Sequence, residues 1–144
     1  MSLVKAEIVL STCNDERFPA TCILDGKPNT FFVTSGLFPH EIIIGMKGGS
    51  ASISRILLSS SGIKKFRIEK CNDSTPSRFE PIVDCEVANR DATGRQVEQF
   101  QLNKATAGFG ITYLKVVIAS GHEDFAAIYD LAIEGENTAA TITQ

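Results

Sequence analysis

The sequence predicts an all-β domain: an antiparallel β-sandwich or jelly roll of eight to nine strands. Three observations carry that prediction. Apolar residues recur mainly with period two, turn residues fall between the periodic runs, and no stretch sustains the stripe of an amphipathic helix. Strands that follow one another without helical connections pair antiparallel and close into two packed layers.

The elements follow in order. Strands are expected near 4–10, 30–34 and 40–47, the last containing the apolar triplet Ile42-Ile43-Ile44. Lys47-Gly48-Gly49-Ser50 separates two β-branched runs and reads as a hairpin turn. A fourth strand is expected near 53–59, followed by a turn at Ser59 to Gly62. In the fifth, near 63–71, Phe66 and Ile68 alternate with Lys65, Arg67 and Glu69. A polar connector leads to a sixth near 80–87, and another to a seventh near 97–103, where Phe100 and Leu102 alternate with Gln99, Gln101 and Asn103. Gly108-Phe109-Gly110 reads as a flexible corner. In the eighth, near 112–119, Leu114, Val116 and Ile118 alternate with Tyr113, Lys115 and Val117. In the ninth, near 127–134, Tyr129, Leu131 and Ile133 alternate with Ile128, Asp130 and Ala132. Residues 1–136 are expected to form one domain, and the polar tail 137–144 to fray.

Composition narrows the function classes. A chain of 144 residues with 43% apolar content suits one domain with its own core. The longest apolar run, Glu41 to Met46, is strand-sized and far short of the roughly 18 residues of a membrane helix, so no membrane insertion is expected. The first ten residues lack the basic start and apolar segment of a secretory signal. A net charge of −3 with interspersed signs argues against a nucleic-acid binder built on phosphate contacts. The densest basic group is Lys64, Lys65, Arg67 and Lys70. Alternation places Lys65 and Arg67 on one strand face with Glu69, which reads as a solvated face. The four cysteines, Cys13, Cys22, Cys71 and Cys85, show no Cys-x-x-Cys spacing, so a standard zinc site is not expected. They read as reduced thiols of a cytosolic protein.

No catalytic constellation emerges. Gly45 to Ser50 lacks the phosphate-loop pattern and the helix that must follow it. His122 stands beside Glu123 and Asp124, yet no nucleophile elbow accompanies it. Asn72-Asp73-Ser74 fits a glycosylation pattern that matters only on a secretory route. The chain is expected not to be an enzyme.

The stretch Cys22 to Gly36, CILDGKPNTFFVTSG, has the chemistry of an ion loop. Calcium takes six to eight oxygens, and a tight turn points several carbonyls inward at once. Asp25 offers a carboxylate, Thr30 a hydroxyl, and Cys22 and Lys27 backbone carbonyls. One acid is too few, and Glu134 in the last strand is the candidate second. From loop chemistry alone the plainer reading is that Asp25 braces the turn through an Asx hydrogen bond while Glu134 is solvated.

The order Ile23-Leu24-Asp25-Gly26, Thr30-Phe31-Phe32, Thr34 resembles the entry motif of galactose-binding-like, or discoidin-like, β-sandwiches. That resemblance implies a jelly roll with one structural calcium ion, held by backbone groups of Cys22 and Lys27, by Asp25 and Thr30, and by Glu134. Longer stretches narrow the likeness: DERFPATCILDGKPNTFFVTSGLFPHEIII, IKKFRIEK and TYLKVVIASGHEDFAAIYDLAIEGE. With TSGLFPHE and SGHEDFA as the most specific phrases, the chain is similar to the intraflagellar transport protein 25 family from about Lys5 to Glu136. The resemblance implies a non-enzymatic subunit of intraflagellar transport complex B in the cytoplasm and the cilium or flagellum. Its implied partner is a Rab-like small GTPase, intraflagellar transport protein 27. Sugar binding is the common alternative for the fold, but a chain with no Trp and two Tyr offers little aromatic platform. Where alternation breaks, apolar side chains are expected to face outward, so Ile42, Ile44, Val117 and Ile128 are the expected interface residues.

Overall fold

The computed structural model describes residues 3–12, 19–24, 31–34, 38–87, 96–122 and 126–137. These contain nine strands: β1 (Ala6–Ser11), β2 (Phe32–Val33), β3 (His40–Met46), β4 (Ala51–Ser61), β5 (Ile63–Cys71), β6 (Glu80–Glu86), β7 (Gln96–Gln101), β8 (Tyr113–Gly121) and β9 (Ala127–Asn137). A single 3-10 turn, Ala20–Leu24, precedes β2. The strands form two antiparallel sheets, ordered β1-β3-β8-β5-β6 and β2-β9-β4-β7.

The connections between strands cross the sandwich. Only β5 and β6 are both consecutive in the chain and paired with each other. The expected hairpin at Lys47–Ser50 is therefore an arch, carrying the chain from β3 in one sheet to β4 in the other. Gly48 and Gly49 make the reversal at φ 84° and 111°, values that side-chain-bearing residues avoid. Once across, the Ala51 N–H donates to the Ile111 carbonyl rather than back to β3.

The inner faces interdigitate between the sheets. Phe66 on β5 meets Phe100 on β7 edge to face, with ring centroids 5.7 Å apart, one ring from each layer. Ile42, Ile44, Ile68, Leu114, Val116 and Ile118 line one wall, and Ile56, Leu58, Ile128, Leu131 and Ile133 the other. Burying each such side chain stabilises the fold by about 1.5–3 kcal/mol before the entropy of ordering it is subtracted.

The two most specific sequence phrases meet in space. The Thr34 N–H donates to the Ala126 carbonyl at 2.8 Å, and the Ala126 N–H donates to Thr34 Oγ1 at 3.0 Å. Thr34 is buried, so this reciprocal pair satisfies groups that would otherwise be costly. The corner at Gly108 is closely packed rather than flexible. A Cβ there would lie 1.9 Å from the Ile53 carbonyl oxygen, which Gly108 faces because Ile53 donates to it across the corner. Gly135 makes a matching approach, with an added Cβ 2.0 Å from the Ser52 carbonyl oxygen. Asn137 belongs to β9 rather than to the tail, its side chain bonded to the backbone of Lys5 and Lys47.

None of the four expected interface residues presents exposed apolar surface. Ile42 and Ile44 point inward and are fully buried; the outward member of the triplet is Ile43. Val117 does face outward, but it occupies the central strand, flanked in register by Glu41 and Arg67, and is 4% exposed. Ile128 turns inward because the β4–β9 register shifts between Ser59 and Ser60. The extra residue of that bulge, Tyr129, takes the outward place, with its ring 5.7 Å from Phe31.

Candidate functional site

Two places on the sandwich deserve functional description, and the first is the β9 edge. β2 pairs with only the first two residues of β9. Beyond it, Leu3 bridges to Glu134, the Val4 N–H donates to the Ile133 carbonyl, and the 3-10 turn packs against the strand. Ala20 and Ile23 are the buried residues of that turn. The turn carrying Cys22 and the strand carrying Glu134 thus share one edge of the four-stranded sheet. Asp25, Lys27 and Thr30 lie outside the described residues.

Glu134 is not a solvated carboxylate. It is 15% exposed, and Arg55 from the neighbouring strand donates to it with Nε at 2.8 Å and Nη2 at 2.7 Å. Both bonds end on Oε1, so they leave Oε2 to other donors or ions. Its carbonyl accepts from Ser54 Oγ at 3.2 Å. A carboxylate oxygen and nearby backbone carbonyls are the hard oxygen donors that calcium takes. Among the described residues alone, no three His, Cys, Asp or Glu side chains gather as a metal cluster. Sequence reasoning missed Arg55, since nothing local links it to a residue 79 positions away.

The second place is the outer face of the five-stranded sheet. In register across it run Leu10, Ile43, Lys115 and Glu69. The Lys115 ammonium lies 3.9 Å from Glu41, 3.8 Å from Glu69 and 4.4 Å from the centre of the Phe79 ring. Arg67 pairs with Glu69, and Lys70 with Glu80 at 3.5 Å, so two of the four basic residues of this strand are matched by acids. Toward β1 the face becomes apolar. Val9 sits at the β-bulge of that edge strand, against Gly45. A Cβ on Gly45 would fall 3.0 Å from Val9 Cγ2 and 3.3 Å from Tyr113 Cε1, so the glycine lets these two side chains close over β3. Beside them opens a cleft of about 470 Å³ lined by Glu7, Val9, Gly45, Asn72, Ser74 and Tyr113. Val9 and Leu10 are each 47% exposed.

The remaining candidates have structural partners. His122 places Nε2 2.8 Å from the Val87 carbonyl, and its N–H donates to Gly62. Asn72 Nδ2 donates to the carbonyls of Phe109 and Gly110, both at 2.9 Å. Cys22, Cys71 and Cys85 are free thiols. Burial, then the charges of Glu98 and Asp84, push the Cys85 thiol above its ordinary range, which suppresses the reactive thiolate.

Sandwich and motif together define the class: a galactose-binding-like β-sandwich. The family 32 carbohydrate-binding module of NanJ from C. perfringens, solved with galactose, superposes with a TM-score of 0.70 at 18% identity, covering 90% of this chain and 92% of that one. No protein-family model matches the chain. Intraflagellar transport protein 25 from Chlamydomonas reinhardtii is 36% identical over 128 residues, 89% of this chain and 64% of that protein. The Homo sapiens homolog is 31% identical over 131 residues, covering 90% of this chain and 86% of that protein. The chain belongs to the intraflagellar transport protein 25 family. It spans slightly under two thirds of the Chlamydomonas relative's length.

Proposed function

We propose that the chain is a non-enzymatic subunit of intraflagellar transport complex B, working in the cytoplasm and the cilium or flagellum by docking a Rab-like small GTPase, intraflagellar transport protein 27. The observation that carries this reading is family membership across about 90% of the chain. One surface feature supports the reading. Val9, Leu10 and Ile43 form an apolar strip along β1 and the neighbouring β3, bordered by Lys115, Glu41 and Glu69. An apolar centre with a charged border is the composition of a protein interface. The test mixes the full chain with the purified GTPase and follows size-exclusion elution. The reading expects one earlier-eluting peak containing both; separate elution at micromolar concentration overturns it.

The same proposal assigns one structural calcium ion to the β9 edge. Glu134 would contribute the oxygen that Arg55 leaves, with the Cys22 and Lys27 carbonyls, the Asp25 carboxylate and the Thr30 hydroxyl completing the set. The ion would tie the first loop to the last strand. Calorimetric titration of the chelator-treated chain with calcium should give one site per chain, and Asp25→Ala should abolish it. No heat of binding, or binding unchanged in that variant, contradicts the assignment.

A further inference from the structure

The connector between β5 and β6 is anchored at both ends. At its start, Thr112 Oγ1 donates to the Asp73 carbonyl at 2.6 Å, and the Tyr113 hydroxyl approaches the Ser74 carbonyl at 3.4 Å. At its end, Phe79 lies beneath the Lys115 ammonium, 4.4 Å away. Between these anchors, Thr75-Pro76-Ser77-Arg78 forms an arch of exposed residues.

The arch is held lightly. The Cys71 thiol donates to the Thr75 carbonyl at 3.3 Å, and the Ser77 N–H closes onto the same carbonyl at 2.8 Å. A thiol is a weak donor, and the second bond spans only two residues. Thr75 Oγ1 meets the Ser77 hydroxyl at 3.3 Å in the open. The anchors use backbone carbonyls of Asp73 and Ser74 and the ring of Phe79. Lifting the arch therefore breaks no ladder bond, and the buried side chain it uncovers is the small Cys71 thiol, so the segment opens at low cost.

The four residues also carry a recognition pattern. Proline has no N–H to satisfy, and it biases the preceding residue toward the extended conformation in which protein kinases bind their substrates. A kinase cleft that offers no acceptor after the target hydroxyl accepts proline and penalises other residues, whose N–H would be left unpaired. Arg78, three positions on, presents a planar cation suited to a carboxylate or phosphate on the enzyme. Ser77 has a similar hydroxyl but is followed by Arg78 rather than proline.

We propose that Thr75 is a phosphorylation site for a proline-directed protein kinase that reads a basic residue three positions beyond the target. In the reaction, Thr75 Oγ1 attacks the γ-phosphorus of ATP. The new Oγ1–P bond forms as the bond from the γ-phosphorus to the bridging oxygen breaks. ADP departs with that electron pair, and the hydroxyl proton passes to the kinase's carboxylate base. The product adds about two negative charges next to Ser74, at the rim of the cleft shared with Glu7 and Val9.

The test incubates the full chain with magnesium ATP and a purified cyclin-dependent kinase, then maps the product by intact mass and peptide sequencing. One phosphate on Thr75 is expected. Thr75→Ser retains it, Thr75→Ala loses it, and Pro76→Ala slows incorporation about tenfold or more. Arg78→Ala slows it several-fold. The Thr75 variants are expected to melt with the parent, since the side chain is exposed. The proposal is overturned if phosphate goes to another residue while Thr75 stays unmodified. It is equally overturned if the chain remains unmodified while a free peptide spanning 72–79 is phosphorylated.

Discussion

The two outer faces of the sandwich are built from the same alternation and end up unlike. On the four-stranded sheet, outward groups find partners within the sheet or the turn that follows β7: Arg55 with Glu134, Ser61 with Tyr129, and Lys104 with Glu136. Gln99 and Gln101 continue the polar surface to its β7 edge, with Leu57 half-buried between Gln99 and Ala132 and Val97 exposed near the end of β7. On the five-stranded sheet the charges cluster around Lys115, and the β1 side is left apolar by Val9, Leu10 and Ile43. A face whose charges are paired internally and whose apolar groups are scattered gives a partner little to gain. An apolar strip gives it area to bury.

Glycine substitutions separate the faces most strongly. Gly135→Ala drives a Cβ to 2.0 Å from the Ser52 backbone oxygen, which cannot move without displacing β4. We expect a loss of about 3 kcal/mol or more, seen as failure to fold or a large drop in melting temperature. On the opposite face, Gly45→Ala meets a Val9 methyl group at 3.0 Å, a side chain that can rotate. The expected cost there is about 1 kcal/mol by denaturant titration. Equal losses at both sites would erase this distinction.

Charge placed on the two faces sharpens the comparison next. The double change Val9→Glu with Leu10→Glu should weaken GTPase binding by about 100-fold in calorimetry while leaving the melting temperature nearly unchanged, since both positions are half exposed. Val97→Glu, at a still more exposed position on the other sheet, should leave binding unaltered. A smaller effect is expected at the β9 edge. Glu134→Gln removes one partner of a partly exposed ion pair, for about 1 kcal/mol of stability, and, on the proposed calcium assignment, should also abolish any rise in melting temperature on adding calcium. The smallest concerns Cys85. Its thiol is raised mainly by burial, so the folded chain holds the proton more tightly than the unfolded one. That contribution is present below the ordinary thiol range and fades as pH rises through the folded value. Mild alkylation near pH 8 should therefore modify Cys85 more slowly in the native than in the denatured chain.

Much of this architecture was legible in the residues. The fifth strand was expected near 63–71 and is found at Ile63–Cys71, because Phe66 and Ile68 against Lys65 and Arg67 leave no other regular reading. Which layer a strand joins was not legible. Gly48-Gly49 suits a hairpin and an arch alike, and the choice is made by a remote bond between Ala51 and Ile111. A single bulge at Tyr129 reversed the side of Ile128, as a one-residue slip must. At the site, Glu134 was legible as a candidate acid, and its strand does meet the turn that bears Cys22. Arg55 was not, because its role exists only once β4 and β9 are in register.

The surface proposed to receive the GTPase is the β1 side of the five-stranded sheet. Hydrogen–deuterium exchange of the full chain, alone and with a saturating amount of that GTPase, tests it directly. The account predicts slowed exchange in Ala6–Ser11 and adjoining β3, with Gln96–Gln101 unchanged. Protection at Gln96–Gln101 with Ala6–Ser11 unaffected, or no protection anywhere, would contradict it.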